Sequence, residues 1–371
     1  MASEKRIRVL IVDDSAFMRK VLQSILIADP QVEVVGEARD GKAAVTQAES
    51  LKPDVITMDI NMPGMDGLQA TEVIMSTNPR PILIVSSESR EGAGATLKAL
   101  ELGAIDFVAK PSSGIDLDMN TVRDELTRKL KMAAKVRVVR TATRSKPQRQ
   151  APAAAPRTEA ANGNKAAETK APSGRFPLVM IACSTGGPAT LMKLVPAFAK
   201  DFPGAVVVVQ HLPGTFTGQF SQQLAEVAAI AVKEAAHGEA LRAGTLYVCP
   251  GSHHLRVSSS GRIALDDGER IAGYRPCADV ALETAAAYAG AMTVAVVLTG
   301  MGNDGARGVQ AIKKAGGYVI AQDEASSVIF GMPAEAIKTG VVDEVLPLEN
   351  IYAATEKRVL QVSNVAKAGA V

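Results

Sequence analysis

Short apolar runs rich in Val and Ile alternate with segments of helical periodicity through most of the chain. In the first 135 residues the runs are RIRVLIV (6–12), VEVVGEA (32–38), DVITMD (54–59), PILIVS (81–86) and DFVAK (106–110). Between them, stretches such as AFMRKVLQSILIA and TLKALELGA space their apolar positions at helical intervals. Strands alternating with helices in this way predict a doubly wound (βα)5 domain over 1–135, built on a parallel sheet. The rhythm then stops. From Thr141 to Arg175, 35 consecutive residues contain no Val, Ile, Leu, Met, Phe, Tyr or Trp. Such a segment cannot bury enough apolar surface to offset the entropy of ordering it, so 136–175 reads as a flexible Ala/Pro/Lys/Arg linker. The alternation resumes with FPLVMIAC (176–183), AVVVVQ (205–210), TLYVCP (245–250), TVAVVLT (293–299) and YVIAQ (318–322), while LRVSSSGRIALDD (255–267) reads as a hairpin around Ser-Gly. A second α/β domain, mainly parallel with one β-hairpin, is expected over 176–362, with a tail at 363–371.

Composition narrows the function classes. The chain has 371 residues, with Lys+Arg 41 against Asp+Glu 39, a balance that argues against a nucleic-acid or polyanion partner. Nine Lys/Arg against two Glu fall within 136–175, which leaves the two domains net acidic. Cys183, Cys249 and Cys277 are too scattered for a disulfide framework or a C-x-x-C site, and a reducing cytoplasmic setting fits them. The N-terminus meets Asp13 and Asp14 after one short apolar stretch, unlike a signal peptide. The charge-free stretch Thr284–Asn303 divides into a helix-like half and a strand-like half, so no membrane insertion is expected.

In an open parallel sheet, function collects at the carboxyl ends of the strands. In the first domain those ends carry Asp13 and Asp14, then Asp59, Ser86 and Lys110. Three carboxylates at one edge repel unless a hard divalent cation sits among them, and oxygen ligands suit Mg²⁺. A carboxylate can accept a phosphoryl group, whose oxygens a metal and a lysine would neutralise. A calcium loop at DINMPG is disfavoured, because Pro63 and Ala70 stand where ligands belong. IVDDSAFMR, MDINMPGMDG, VSSES and DFVAKP, in that order, resemble the response-regulator receiver domain. The resemblance implies Asp59 as phospho-acceptor, Asp13, Asp14 and Asp59 as the metal site, and Ser86, Phe107 and Lys110 as the switch residues. It also implies a sensor histidine kinase as phosphodonor.

The same reading of the second domain yields Ser184 after the first strand, His211 after the second and Asp304 in the loop after TVAVVLT. A hydroxyl, an imidazole and a carboxylate on one edge are the parts needed for acyl transfer. Gly186 and Gly187 would let backbone N–H groups approach an oxyanion at a helix start. Other readings compete. ACSTG lacks the first glycine of the G-x-S-x-G elbow. Cys183 could be a nucleophile, although strand alternation points it away from Ser184. GMGNDG (300–305) with Asp323 matches a dinucleotide fingerprint, although Asp304 would oppose a pyrophosphate there. A third reading is a phosphorylation-controlled binding module without chemistry.

ACSTGGP, VVQHLPGTF, CPGSHHL and LTGMGNDG, placed behind a receiver, resemble the chemotaxis response-regulator protein-glutamate methylesterases. That resemblance implies Ser184 as nucleophile, His211 as general base and acid, and Asp304 as the orienting carboxylate, with no cofactor for ester hydrolysis. It implies glutamyl γ-methyl esters on the cytoplasmic domains of methyl-accepting chemoreceptors as substrate, with glutamine deamidation as a second activity. It further implies that the unphosphorylated receiver covers the catalytic cleft. His253 and His254 match no catalytic position and are expected at a surface turn.

Overall fold

The structure is a computed structural model and describes residues 5–86, 90–110, 119–136 and 176–368. The expected linker, apart from Val136, lies outside the described residues. Ten elements alternate before it: β1 (Ile7–Val12), α1 (Ala16–Ile27), β2 (Val32–Ala38), α2 (Gly41–Leu51), β3 (Val55–Met58), α3 (Gly67–Thr77), β4 (Ile82–Ser86), α4 (Arg90–Glu101), β5 (Asp106–Ala109) and α5 (Met119–Ala133). The strands form one parallel sheet in the order β2-β1-β3-β4-β5. The chain therefore reverses direction across the sheet at β1 and β3, which opens a crevice at their carboxyl ends. Asp13 and Asp59 stand there. Helix starts are fixed locally: the side chains of Ser15, Asp40 and Asp66 accept backbone N–H groups at the first turns of α1, α2 and α3.

After the linker come β6 (Leu178–Cys183), α6 (Gly187–Leu194), β7 (Ala205–Gln210), α7 (Gly214–Val227), β8 (Ala231–Glu234), β9 (Thr245–Val248), β10 (His254–Val257) and β11 (Ile263–Asp266). Then follow α8 (Ala278–Ala289), β12 (Thr293–Val297), α9 (Ala306–Lys314), β13 (Tyr318–Gln322), α10 (Met332–Lys338), β14 (Glu344–Leu346) and α11 (Leu348–Ala368). Seven of these strands make a parallel sheet in the order β14-β13-β12-β6-β7-β9-β8, and β10 and β11 pair as the expected antiparallel hairpin. Every residue of β6, β7 and β12 is buried, as a sheet covered by helices on both faces requires. That double coverage is why these strands read as continuous apolar runs. The stretch Thr284–Asn303 contains the end of α8 and all of β12, and no helix among the described residues is long and apolar enough to cross a membrane. α11 runs to Ala368, so the boundary expected at 362 falls inside a helix.

The two domains touch through packed side chains. α4 lies against α6 and α7, and one buried apolar cluster includes Ile84, Leu97 and Phe107 of the first domain with Leu191, Phe216 and Phe220 of the second. The Phe107 and Phe216 rings stack with centroids 4.6 Å apart and planes 17° apart.

Candidate active site

Two strand-end sites emerge, one per domain. In the first, the Lys110 ammonium bridges Asp13 Oδ2 and Asp59 Oδ2 at 2.8 Å each, and Asp13 Oδ1 accepts the Ser15 backbone N–H at 2.9 Å. One oxygen from each of Asp13, Asp14 and Asp59 lies within 4.8 Å of the others. Asp59 is 3% exposed, and burial pushes its carboxyl above the usual range. Lys110 opposes that shift, while the Asp13 charge adds to it. Burial also works against the Lys110 charge, but the two carboxylates outweigh it and hold the ammonium firmly protonated. Ser86 ends β4, buried on the same edge.

In the second domain β12, β6 and β7 are adjacent, so the loops after them share one rim. Ser184 follows β6, His211 follows β7, and Asp304 lies in the loop between β12 and α9. The His211 backbone N–H donates to Cys183 O, and Gln210 Nε2 donates to Ser184 O, which ties the first two loops together. Gly300 lets the third close in: a Cβ there would sit 2.9 Å from the Ser184 Cβ and backbone N. Gly187 is needed for a similar reason, because its Cβ would overlap Gln210 Oε1 at 1.9 Å.

His211 Nε2 and Asp304 Oδ2 are 2.8 Å apart. Asp304 is 3% exposed and also accepts from the backbone N–H groups of Ala278 (2.6 Å) and Asp279 (2.9 Å) and from Cys277 Sγ (3.2 Å). Burial alone would raise its pKa, but these donors and the His211 contact hold it below the usual carboxylate value. An ionised carboxylate only accepts, so His211 Nε2 carries a proton, and in the neutral imidazole Nδ1 is left with the lone pair. Nδ1 is buried and has no hydrogen-bond partner among the described residues, so Ser184 does not close onto it here. Tyr274 stacks on the imidazole with centroids 4.5 Å and planes 19° apart, which fixes the ring plane.

The first domain reaches this rim. Thr185, the residue after Ser184, donates its hydroxyl to Asp106 Oδ2 at 2.5 Å. Lys129 holds the other side of that carboxylate at 3.3 Å and donates to Phe107 O at 2.7 Å. Its charge survives burial because Asp106 and Glu125 outweigh the desolvation. Arg128 lies against Met301 in the loop that carries Asp304.

Two family models match the chain. The response regulator receiver domain model matches residues 9–143, and the CheB methylesterase model matches residues 179–355. A Pyrococcus horikoshii protein named protein-glutamate methylesterase/protein-glutamine glutaminase is 47% identical over 350 residues, covering 94% of this chain and 92% of that protein. A relative of the same name from Symbiobacterium thermophilum is 45% identical over 362 residues, 96% and 98% of the two chains. The chain belongs to this family. The crystal structure of the Thermotoga maritima CheB methylesterase catalytic domain is similar over 50% of this chain and 98% of its own, at 40% identity and a TM-score of 0.48.

Within this protein-glutamate methylesterase family member, the competing readings lose their footing. Cys183 is fully buried and burial pushes its thiol up, which leaves little thiolate. Asp323 accepts from the backbone N–H and hydroxyl of Ser326, a loop role that leaves it engaged rather than poised for a ribose. Asp304 is the fifth residue of GMGNDG, with its carboxylate turned to His211. His253 bonds to Ser252, but His254 is 1% exposed with Nε2 on Glu269 O, so the surface position expected for it is wrong. Leu255 and Val257 face the core, so His254 lies on the other face of β10, where the loop carrying Glu269 covers it. Outside the receiver, no group of three His, Cys, Asp or Glu ligands gathers among the described residues.

Some site residues gave no warning. Tyr274 sits in an irregular loop where no periodicity applies. The Asp304 anchors at 277–279 are backbone donors, which composition cannot flag. Gln210 did carry a signal, as a polar residue closing a run of four valines.

Proposed function

We propose that this chain is a phosphorylation-activated protein-glutamate methylesterase, which hydrolyses glutamyl γ-methyl esters on methyl-accepting chemoreceptors and deamidates selected receptor glutamines. The observation that carries the reading is the His211–Asp304 bond at a strand end beside Ser184. Ser184 Oγ attacks the ester carbonyl while His211 Nδ1 takes its proton. Asp304 keeps the other ring nitrogen protonated and offsets the charge on the imidazolium. His211 then protonates the departing methoxide, which leaves as methanol, and water repeats the sequence on the acyl-enzyme to release glutamate and free Ser184. Ammonia as leaving group gives deamidation by the same steps. Hydrolysis needs no cofactor in this scheme.

Asp59 is the proposed phospho-acceptor, with the chemoreceptor-coupled sensor histidine kinase as donor. The donor set fits Mg²⁺: three carboxylates converge with one ammonium, and the oxygens are hard ligands. Asp13, Asp14 and Asp59 would hold the ion, which supplies positive charge to the phosphoryl oxygens. Lys110 already faces the Asp59 carboxylate, and Ser86 and Phe107 lie on the strands that respond. We place the control at the interdomain contacts. A linker of roughly 40 residues holds the receiver near millimolar effective concentration, and the Thr185–Asp106 bond and the Phe107–Phe216 stack seat it beside Ser184.

A hydrogen bond to a charged group contributes roughly 1.5–3 kcal/mol. Asp106→Ala is therefore expected to raise the basal rate about tenfold or more. Acetyl phosphate with Mg²⁺ is expected to raise the wild-type rate in the same direction. Methanol release from methylated receptor membranes measures both. A basal rate unchanged by Asp106→Ala contradicts control by docking, and no methanol from the wild type contradicts the esterase reading itself.

A further inference from the structure

The two helices flanking the carboxylate of the triad exchange caps. α8 begins at Ala278, and its first N–H groups, from Ala278 and Asp279, donate to Asp304. α9 begins at Ala306, and the N–H groups of Gly305 and Gly308 donate to Asp279 Oδ1 at 2.9 and 2.7 Å. Each helix thus lends its first-turn donors to an acid carried by the other. An acid at a helix N-terminus gains from both the unpaired N–H groups and the dipole. The arrangement is closed: Asp304 cannot move without uncapping α8, and the loop holding Asp304 cannot move without uncapping α9.

The surroundings support this contact. A Cβ at Gly308 would meet Leu282 Cβ at 2.5 Å and Asp279 Cα at 3.2 Å, so glycine is what lets α9 come close enough. Arg307 lies with Nε 3.9 Å from Asp279 Oδ2 while donating to Glu283, which offsets part of the charge that two neighbouring carboxylates accumulate. Burial and the Asp304 charge both raise the Asp279 pKa, so keeping this acid beside Asp304 costs stability.

We propose that Asp279 is a positioning residue for catalysis: by capping α9 at Gly305 and Gly308 it fixes the loop that holds Asp304 against His211. This rests on the triad reading above. Asp279 touches no reacting atom. Its effect passes through the placement of one carboxylate oxygen, so it should appear in kcat and leave substrate binding alone. Partners that orient metal ligands commonly change activity 10- to 100-fold, and an effect of that order is expected for a partner that orients this carboxylate.

The experiment compares Asp279→Ala, Asp279→Asn and Asp304→Ala in the full chain. Steady-state methanol release is measured well below each melting temperature, with circular dichroism as the folding control. Asp279→Ala is expected to lower kcat about 10- to 100-fold with KM within about twofold. Asp279→Asn keeps an acceptor oxygen for both N–H groups, so it is expected to recover to within about threefold of wild type. Where the alanine protein does not fold, a loss beyond about threefold in folded Asp279→Asn overturns the proposal. In an Asp304→Ala background, Asp279→Ala should cost little more.

Wild-type kcat in a folded Asp279→Ala protein overturns the proposal. So does equal loss in the Asn and Ala variants, or an equal further loss when Asp304 is already gone. If Asp304→Ala also retains wild-type activity, the triad reading fails as well. If Asp304→Ala is inactive while Asp279→Ala is normal, only the present proposal fails.

Discussion

Ser184→Ala is expected to lower methanol release by about three orders of magnitude or more. The reason is chemical. Without Oγ no acyl intermediate can form, and His211 is left to activate water in a cleft arranged for a serine at the end of β6. Substrate binding survives the change, so a residual rate above the uncatalysed reaction is expected. KM should stay within a few fold. Ser184 is half-buried at a strand end and contributes its backbone to bonds with Thr299 and Gln210, which alanine keeps. The melting temperature should therefore barely move. A variant that retains a tenth or more of wild-type turnover removes Ser184 as nucleophile.

Asp304→Asn is expected to be at least as damaging, about 10⁴-fold in kcat by analogy with other triads. The carboxylate only accepts, which forces the proton onto His211 Nε2. An amide can present N–H instead, which reverses the tautomer and leaves Nδ1 without its lone pair. The same substitution has a stability signature. The folded-state pKa of Asp304 lies below its unfolded value, so its contribution is present above the unfolded pKa and fades as pH falls through the folded one. Wild type should therefore lose stability across that acid window. Asp304→Asn, which has no such proton to bind, should show a shallower decline, read by urea unfolding at a series of pH values. A steeper decline in the variant contradicts the assignment.

What the sequence disclosed follows from burial. β6, β7 and β12 are covered on both faces, so nearly every position is apolar and the strand ends, with Ser184, His211 and Asp304 near them, can be located by eye. β8 and β14 escaped notice because they are the edge strands: AVKE alternates between exposed and half-buried positions, and Glu344–Leu346 has only three residues. In the receiver, charges closing apolar runs made Asp13, Asp59 and Lys110 legible for the same reason. Relations between side chains distant in the chain were not legible. No pattern told which ring nitrogen of His211 would face Asp304, or that Tyr274 would stack on it. The seat of Asp106 against Thr185 belongs to the same class, since each residue looks ordinary within its own domain.

The account turns on three residues from separate loops acting as a single unit, and adding His211→Ala to Ser184→Ala tests that most directly. Residues that serve one step lose little when the second is removed after the first. In methanol release from methylated receptor membranes, the double variant is expected to fall within about threefold of Ser184→Ala alone. A further loss close to the full factor that His211→Ala causes in the wild-type background would mean that the imidazole works independently of the serine, and would contradict the shared hydrolytic site.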